Sequence, residues 1–195
     1  MSDERDPEEV PAEPAPFPPF GVHSSERLYD SHWCGLRRDQ VILPNGQLQE
    51  YHVFEIPDAV AIVPVRSDGR VVLVGQYRYP SGETHWEVPA GRIDEGEAAA
   101  DAAQRELLEE CGYRAKELRP LPGFQPTGGI SPHFVHAFCG LDCEWDRNPQ
   151  PEPSEQIIVQ DFSKQEIVAL LEAGSVRDGF TAVTLLYALQ LGLLG

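Results

Sequence analysis

At 195 residues the chain is long enough for one compact domain with a small appended unit, and too short for a second full domain. Hydrophobic residues make up 41% and charged residues 24%, near globular averages, which excludes a wholly disordered chain or a coiled coil. With 32 acids against 15 Lys plus Arg the net charge is -17, which argues against nucleic-acid polymers and membranes as partners, since both are gripped by neutralising phosphates; a small phosphorylated substrate stays compatible because a bound cation can supply the missing charge.

Residues 1–20 are rich in Pro, Glu and Asp, and the run from Pro11 to Pro19 bars helix and ladder pairing alike, so this stretch reads as a disordered acidic tail. Residues 21–56 read as a small antiparallel β-subdomain. Within it Val41-Ile42-Leu43 stops at the turn signal Pro44-Asn45-Gly46, and Tyr51-His52-Val53-Phe54 resumes with β-prone residues. The main domain spans residues 57–195. It opens with two apolar runs, 59–65 and 71–74, split by Ser67-Asp68-Gly69-Arg70, a second hairpin whose latter strand continues through Gln76-Tyr77-Arg78-Tyr79.

From Glu97 to Cys111 the residues are good helix formers, and Gly112 stands where a left-handed C-terminal cap sits. Residues 134–138 and 156–159 read as strands separated by a polar, proline-rich loop from Asp142 to Glu155. Ser163-Lys164-Gln165-Glu166 has capping-box spacing ahead of an apolar helix, and a last helix is predicted over 180–194. The sum is an α+β protein with a mixed sheet and helices packed on it. No run of about 18 apolar residues occurs and the start is acidic, so a cytoplasmic protein is expected. Cys34, Cys111, Cys139 and Cys143 include no C-x-x-C pair, and reduced thiols are expected.

The informative segment is Gly91-Arg92-Ile93-Asp94-Glu95-Gly96-Glu97, seven further residues, then Arg105-Glu106-Leu107-Leu108-Glu109-Glu110-Cys111-Gly112. On a helix Glu106 and Glu110 lie on one face with Glu109 beside them, next to an apolar stripe of Ala100, Leu107 and Cys111. Like charges so close beside a core repel unless a cation intervenes, and hard oxygen ligands in this number suit Mg²⁺ or Mn²⁺. An exposed acidic helix face is the alternative. Gly91, in Pro89-Ala90-Gly91 just before the helix, permits a backbone carbonyl to point at whatever the helix holds. His133, His136, Cys139 and Cys143 have the residue types of a zinc site, but strand periodicity sends the two histidines to opposite faces.

The segment resembles the signature of the Nudix hydrolases, G-x5-E-x7-R-E-U-x-E-E-x-G-U with U aliphatic. Gly91, Glu97, Arg105, Glu106, Leu107, Glu109, Glu110 and Gly112 fill it, and only Tyr113 at the last U departs. The resemblance implies an α/β/α sandwich and metal-dependent cleavage of a nucleoside diphosphate linked to another moiety. It implies Glu106 and Glu110 as metal ligands, Glu109 as a direct or water-mediated one, the Ala90 carbonyl as a further donor, and Mg²⁺ as the cofactor with Mn²⁺ as substitute. Gly91, Glu97, Arg105 and Gly112 then shape and brace the loop and helix.

Gln76-Tyr77-Arg78 followed by Trp86-Glu87-Val88-Pro89-Ala90-Gly91 resembles the ADP-ribose pyrophosphatase and nucleoside-diphosphate-sugar branch, as does the β-subdomain ahead of the core. That resemblance implies that Arg78 contacts phosphate, with Glu87 at the substrate side of the metal site. Trp33 stacks on a base, or else packs in a core. Glu155, with Glu152 as its rival, is the catalytic base or an extra ligand, and the protein is a homodimer. The branch's Pro-Gly pair and following acid are replaced by Gly128 and His133, which leaves the ADP-ribose assignment open and makes His133 a candidate contact to phosphate or sugar. Other readings are a different nucleotide pyrophosphatase, acting on a dinucleotide, a diadenosine polyphosphate or an oxidised nucleoside triphosphate, and a non-catalytic nucleotide sensor on the same fold.

Overall fold

The computed structural model describes residues 13–152 and 155–194; most of the predicted tail, residues 1–12, lies outside them, and residues 13–20 form no helix or strand. The first unit is a three-stranded antiparallel sheet, β1 (Gly21–Asp30), β2 (Gly35–Ile42) and β3 (Leu48–Glu55), in that spatial order. The Asn45-Gly46 turn joins β2 to β3 as its residues predict, with Gly46 at a positive φ of 81°. Every residue of β1 is exposed. Its sequence, GVHSSERLYD, shows no alternation because neither face meets a core.

The second unit is built on β4 (Ala59–Arg66) and β5 (Val71–Arg78), the predicted second hairpin, both almost wholly buried. Around them lie β6 (Glu83–Glu87), β7 (Ala90–Arg92), β8 (Tyr113–Arg114), β9 (Glu117–Pro120), β10 (Val135–Trp145) and β11 (Ile157–Phe162). The order along the sheet is β11-β5-β4-β10-β8, with β6 on β5, β7 on β4 and β9 on β10. β10 runs parallel to β4 while the other pairings are antiparallel, which makes the sheet mixed as expected.

Because side chains alternate along a strand, β4 and β5 feed two cores. Val60, Ile62, Val72 and Val74 pack under helix α1 (Ala99–Glu106) and its continuation, against Ala102, Ala103, Leu107 and Cys111. Ala61, Val63, Val65, Val71 and Leu73 pack on the other face against Ile167 of α2 (Lys164–Glu172) and Leu185 and Ala188 of α3 (Gly179–Gln190). This is the α/β/α layering. Ser163 caps α2 through the predicted reciprocal box with Glu166.

Several boundaries differ from the sequence reading. α1 begins at Ala99 rather than Glu97, because Glu97 is occupied in the preceding turn, donating its N–H to the Asp94 carbonyl at 3.0 Å. Ala100 is exposed, and Ala103 takes the core place expected for it beside Leu107 and Cys111. β10 continues to Trp145, past the expected end at Phe138, by turning through Asp142 at φ 48°. α3 stops at Gln190, where Gly192 adopts a positive φ. The four cysteines are free thiols, three of them buried.

Candidate active site

The last turn of the glutamate helix is not α-helical. From Leu107 to Cys111 it widens into a π-type turn that ends at Gly112 in the left-handed conformation, φ 75°. The loop after β10 is tied to the backbone of this turn. Gln150 donates its N–H to the Glu109 carbonyl at 2.7 Å, and Asp146 and Arg147 donate theirs to the Gly112 carbonyl at 2.9 and 3.3 Å. Gly112 is also fixed by space, since a β-carbon there would collide with the Arg147 carbonyl oxygen. The helix end that carries the glutamates therefore also anchors the loop that carries Glu152 and Glu155.

Arg105 is the hub of the turn before the helix. Its guanidinium donates to both Glu97 oxygens at 2.9 and 2.8 Å, to the Arg92 carbonyl at 2.9 Å, to Glu106 Oε1 at 2.6 Å and to Glu109 Oε2 at 3.3 Å. Glu97 in turn accepts the Asp94 N–H at 3.0 Å. The hydrogen bonds from Arg105 hold the Glu97 carboxyl below its ordinary range. One cation thus joins the Gly91–Glu97 turn to the helix that follows it.

Glu106 and Glu110 behave differently. Glu110 is only 2% exposed and accepts the Ala90 N–H at 3.3 Å. Burial, with the charges of Glu106 and Glu155, pushes its carboxyl well above the ordinary range. Burial likewise raises Glu106 to about 7, against the opposing pull of Arg105 and with added repulsion from Glu109 and Glu155. Two carboxyls that resist ionisation side by side, next to a third at Glu109 and a fourth at Glu155, suit a hard divalent cation by donor type. Among the described residues no complete cage of His, Cys, Asp or Glu is preformed around a point, and Arg105 holds Glu106.

Beside these glutamates opens a cavity of about 550 Å³ lined by, among others, Ala90, Gly91, Glu106, Glu109, Arg78, Trp33, Glu152 and Glu155. Arg78, at the end of β5, reaches back to Glu87 on β6, donating from Nε at 3.1 Å to both oxygens and from Nη2 to Oε2 at 2.5 Å. Glu87 is 2% exposed and lies behind Arg78 rather than on the cavity wall. Trp33 belongs to no core. It is 62% exposed on the β1–β2 connection, edge-on to His32, with the Arg92 guanidinium 5.6 Å from its ring centroid. Glu155 donates its N–H to the Glu152 carbonyl at 2.9 Å and accepts the Glu152 N–H at 2.8 Å, so the two rivals form one small turn.

His133 does not join the group. It is 6% exposed and does not line the cavity; it stacks on Phe180, and its Nδ1 donates to the Pro57 carbonyl at 2.7 Å, which ties the ring to the β3–β4 connection. The other members of the supposed zinc set are also dispersed. Cys139 is buried in the core under α2 and α3, the Cys143 thiol donates to the Gly140 carbonyl at 3.4 Å, and His136 faces Asp58 at 4.0 Å.

Five cavity or support residues escaped the sequence reading: His32, Gln150, Arg92 and Asp94 as side chains, and Thr181. Thr181, wholly buried in α3, accepts the Val88 N–H at 3.0 Å and donates to Asp178 at 2.8 Å, fixing the strand crossing between Glu87 and Ala90. That contact spans 93 positions, and nothing local announces it.

Residues 55–182 match the NUDIX domain family, and residues 21–54 match the nucleoside diphosphate sugar hydrolase N-terminal domain. The chain belongs to the Nudix hydrolase family. An ADP-ribose pyrophosphatase of Bacillus subtilis (strain 168) is 31% identical over 165 residues, 84% of this chain and 89% of that protein. A CMP-5'-(N-acetyl-N-hydroxy-3-aminopropyl)phosphonate hydrolase of Streptomyces rubellomurinus (strain ATCC 31215) is 32% identical over 167 residues, 85% of this chain and 80% of that protein. The crystal structure of an ADP compounds hydrolase superposes with a TM-score of 0.80 over 91% of this chain and 96% of its own, at 21% identity, a likeness of fold.

Proposed function

We propose that this enzyme hydrolyses the pyrophosphate bond of ADP-ribose or a related nucleoside diphosphate sugar, giving a nucleoside monophosphate and a sugar phosphate. The observation that carries the reading is the buried Glu106–Glu110 pair beside a cavity that also bears Arg78 and an exposed Trp33. Glu106, Glu110, Glu109 and the Ala90 carbonyl would hold Mg²⁺, or Mn²⁺ in its place. When bound, the cation neutralises the diphosphate and activates water for attack at phosphorus.

The chain's own groups do the rest. Arg78, aimed by Glu87, binds a phosphate oxygen, while Trp33 offers its face to the base. Glu155 takes the proton of the attacking water as its oxygen bonds to phosphorus and the bridging P–O bond breaks. Arg105 and Glu97 hold the helix and turn in register and touch no substrate. His133 has no place in this scheme.

The same reading makes the protein a cytoplasmic homodimer. A three-stranded sheet alone is marginal in water, and this one exposes Val22, Leu28, Tyr29, Ile42, Leu48 and Phe54, apolar area that a second copy would cover. Among the described residues no helix is long and apolar enough to cross a membrane.

The test is a panel of ADP-ribose, UDP-glucose, GDP-mannose, NADH, a diadenosine polyphosphate and a nucleoside triphosphate, with Mg²⁺ and then Mn²⁺, reading phosphatase-sensitive product. Preference for one of the sugar conjugates is expected. Turnover of only the dinucleotides or the triphosphate would overturn the substrate class.

A further inference from the structure

Three arginines line the cavity, and two are neutralised from within the protein. Arg78 is held by Glu87, and Arg105 by Glu97, Glu106 and Glu109. Arg92 differs. Among the described residues its guanidinium has no carboxylate within ion-pair distance and no hydrogen-bond partner; it stands over the Trp33 ring, 5.6 Å from the centroid.

The placement of Arg92 is determined on both sides. Its carbonyl accepts the Arg105 N–H at 2.9 Å, so the clamp that fixes Glu106 also fixes the backbone from which the Arg92 side chain springs. Its outer end meets an aromatic ring from the other structural unit, 62% exposed and facing the same cavity. A guanidinium near an aromatic face keeps its edge N–H groups free, and those match phosphate oxygens in pairs.

We propose that Arg92 is a substrate-binding residue of the same site, taking the phosphate on the nucleoside side of the diphosphate. This rests on the reading above, in which the diphosphate lies against Glu106 and Glu110 and the base against Trp33. Arg92 lies beside Trp33 and shares its Arg105 clamp with Glu106, whereas Arg78 is paired with Glu87 at the end of β5. The ligand class it selects is a nucleoside 5′-phosphate: a nucleoside lacks the anion, and a bare sugar phosphate lacks the base that places the anion there. The nucleoside monophosphate product should therefore bind better than the sugar phosphate product.

The test is calorimetric titration of AMP, adenosine and ribose 5-phosphate, in Mg²⁺, into the full-length wild type, Arg92→Met and Arg92→Lys, with steady-state kinetics beside it. Arg92→Met should weaken AMP about tenfold or more while leaving adenosine and ribose 5-phosphate within twofold, and Arg92→Lys should recover part of the loss. KM for the preferred nucleoside diphosphate sugar should rise in parallel with kcat within about threefold. Thermal midpoints should match within a few degrees, since among the described residues the guanidinium holds no ion pair or hydrogen bond. AMP affinity unchanged in Arg92→Met overturns the assignment, as does an equal loss for adenosine, which would mean that Arg92 acts only by holding Trp33. Should wild type hydrolyse none of the sugar conjugates while AMP still binds through Arg92, the substrate reading fails and the Arg92 assignment stands.

Discussion

The Glu106 carboxylate occupies the space that a β-carbon on Gly91 would need, with its carboxyl carbon and both oxygens in collision with that position. Gly91 pairs with Val60 in the β4–β7 ladder, so its backbone cannot retreat without loosening the sheet. Gly91→Ala should therefore displace Glu106 rather than the strand. The expected outcome is a fall in kcat of about 10²-fold or more, with Mg²⁺ dependence shifted to higher concentration and cooperative unfolding retained. Kinetics across a Mg²⁺ titration with a parallel thermal melt check this, and wild-type turnover in the variant would remove Glu106 from the metal site.

Burial raises Glu106 to about 7 and Glu110 well above the ordinary carboxylate value, and the sign of the consequence follows. The folded protein binds more protons than the unfolded chain between about pH 4.5 and 7, so this contribution to stability is fully present below that window and is lost as pH rises through it. Cation binding requires the ionised carboxylates and replaces the proton. In EDTA the thermal midpoint should fall between pH 5 and 8, and saturating Mg²⁺ should flatten the fall. Glu106→Gln and Glu110→Gln should flatten it without metal while lowering kcat by orders of magnitude. Equal slopes in wild type and both variants would show that the decline comes from the general negative charge instead.

Much of this site was legible because its signal is local. Gly91, Glu97, Arg105, Glu106, Glu109, Glu110 and Gly112 fall within 22 consecutive residues, and their types and spacing reveal both the turn and the clustered acids. The π-type turn was not legible. It answers to the loop at 146–150, which reaches the Glu109 and Gly112 carbonyls only after β10 has crossed the sheet. The packing of His133 was hidden for a related reason: a loop position counted from the motif cannot show that the ring meets Pro57 and Phe180. Ala100 failed because it falls in the first turn of a helix that starts at Ala99, at the end of the stripe, where it is exposed. Trp33 was left between core and cavity by the sequence, and the exposure of the β1–β2 connection decides for the cavity.

Thr181 supports the site from the far side of the sheet. Its hydroxyl accepts the Val88 N–H, one residue from Glu87 and two from Ala90, and Asp178 orients that hydroxyl. Thr181→Val keeps the shape and leaves the Val88 N–H buried without its partner, which should cost about 1–3 kcal/mol of stability. Thr181→Ser should recover most of it. If the strand crossing also positions Arg78 and the Ala90 carbonyl, KM and Mg²⁺ affinity will weaken in the valine variant at temperatures where it is fully folded. Denaturant melts together with substrate and Mg²⁺ titrations separate the two effects.

Glu152 and Glu155 share one turn and line the same cavity, but their bonds within the turn differ. The Glu155 charge contributes to raising both Glu106 and Glu110, whereas Glu152 uses its backbone to hold the Glu155 carboxylate. A base that deprotonates water beside metal-bound phosphate must face those glutamates, which is the role proposed above for Glu155. Glu155→Gln should lower kcat by about 10²-fold or more with KM little changed, since the proton is transferred only in the transition state. Glu152→Gln should stay within about threefold of wild type, because it retains the backbone N–H that steadies its neighbour. A deep kcat loss at position 152 with a mild one at 155 would exchange their roles. Equal mild effects at both would place the base outside the loop.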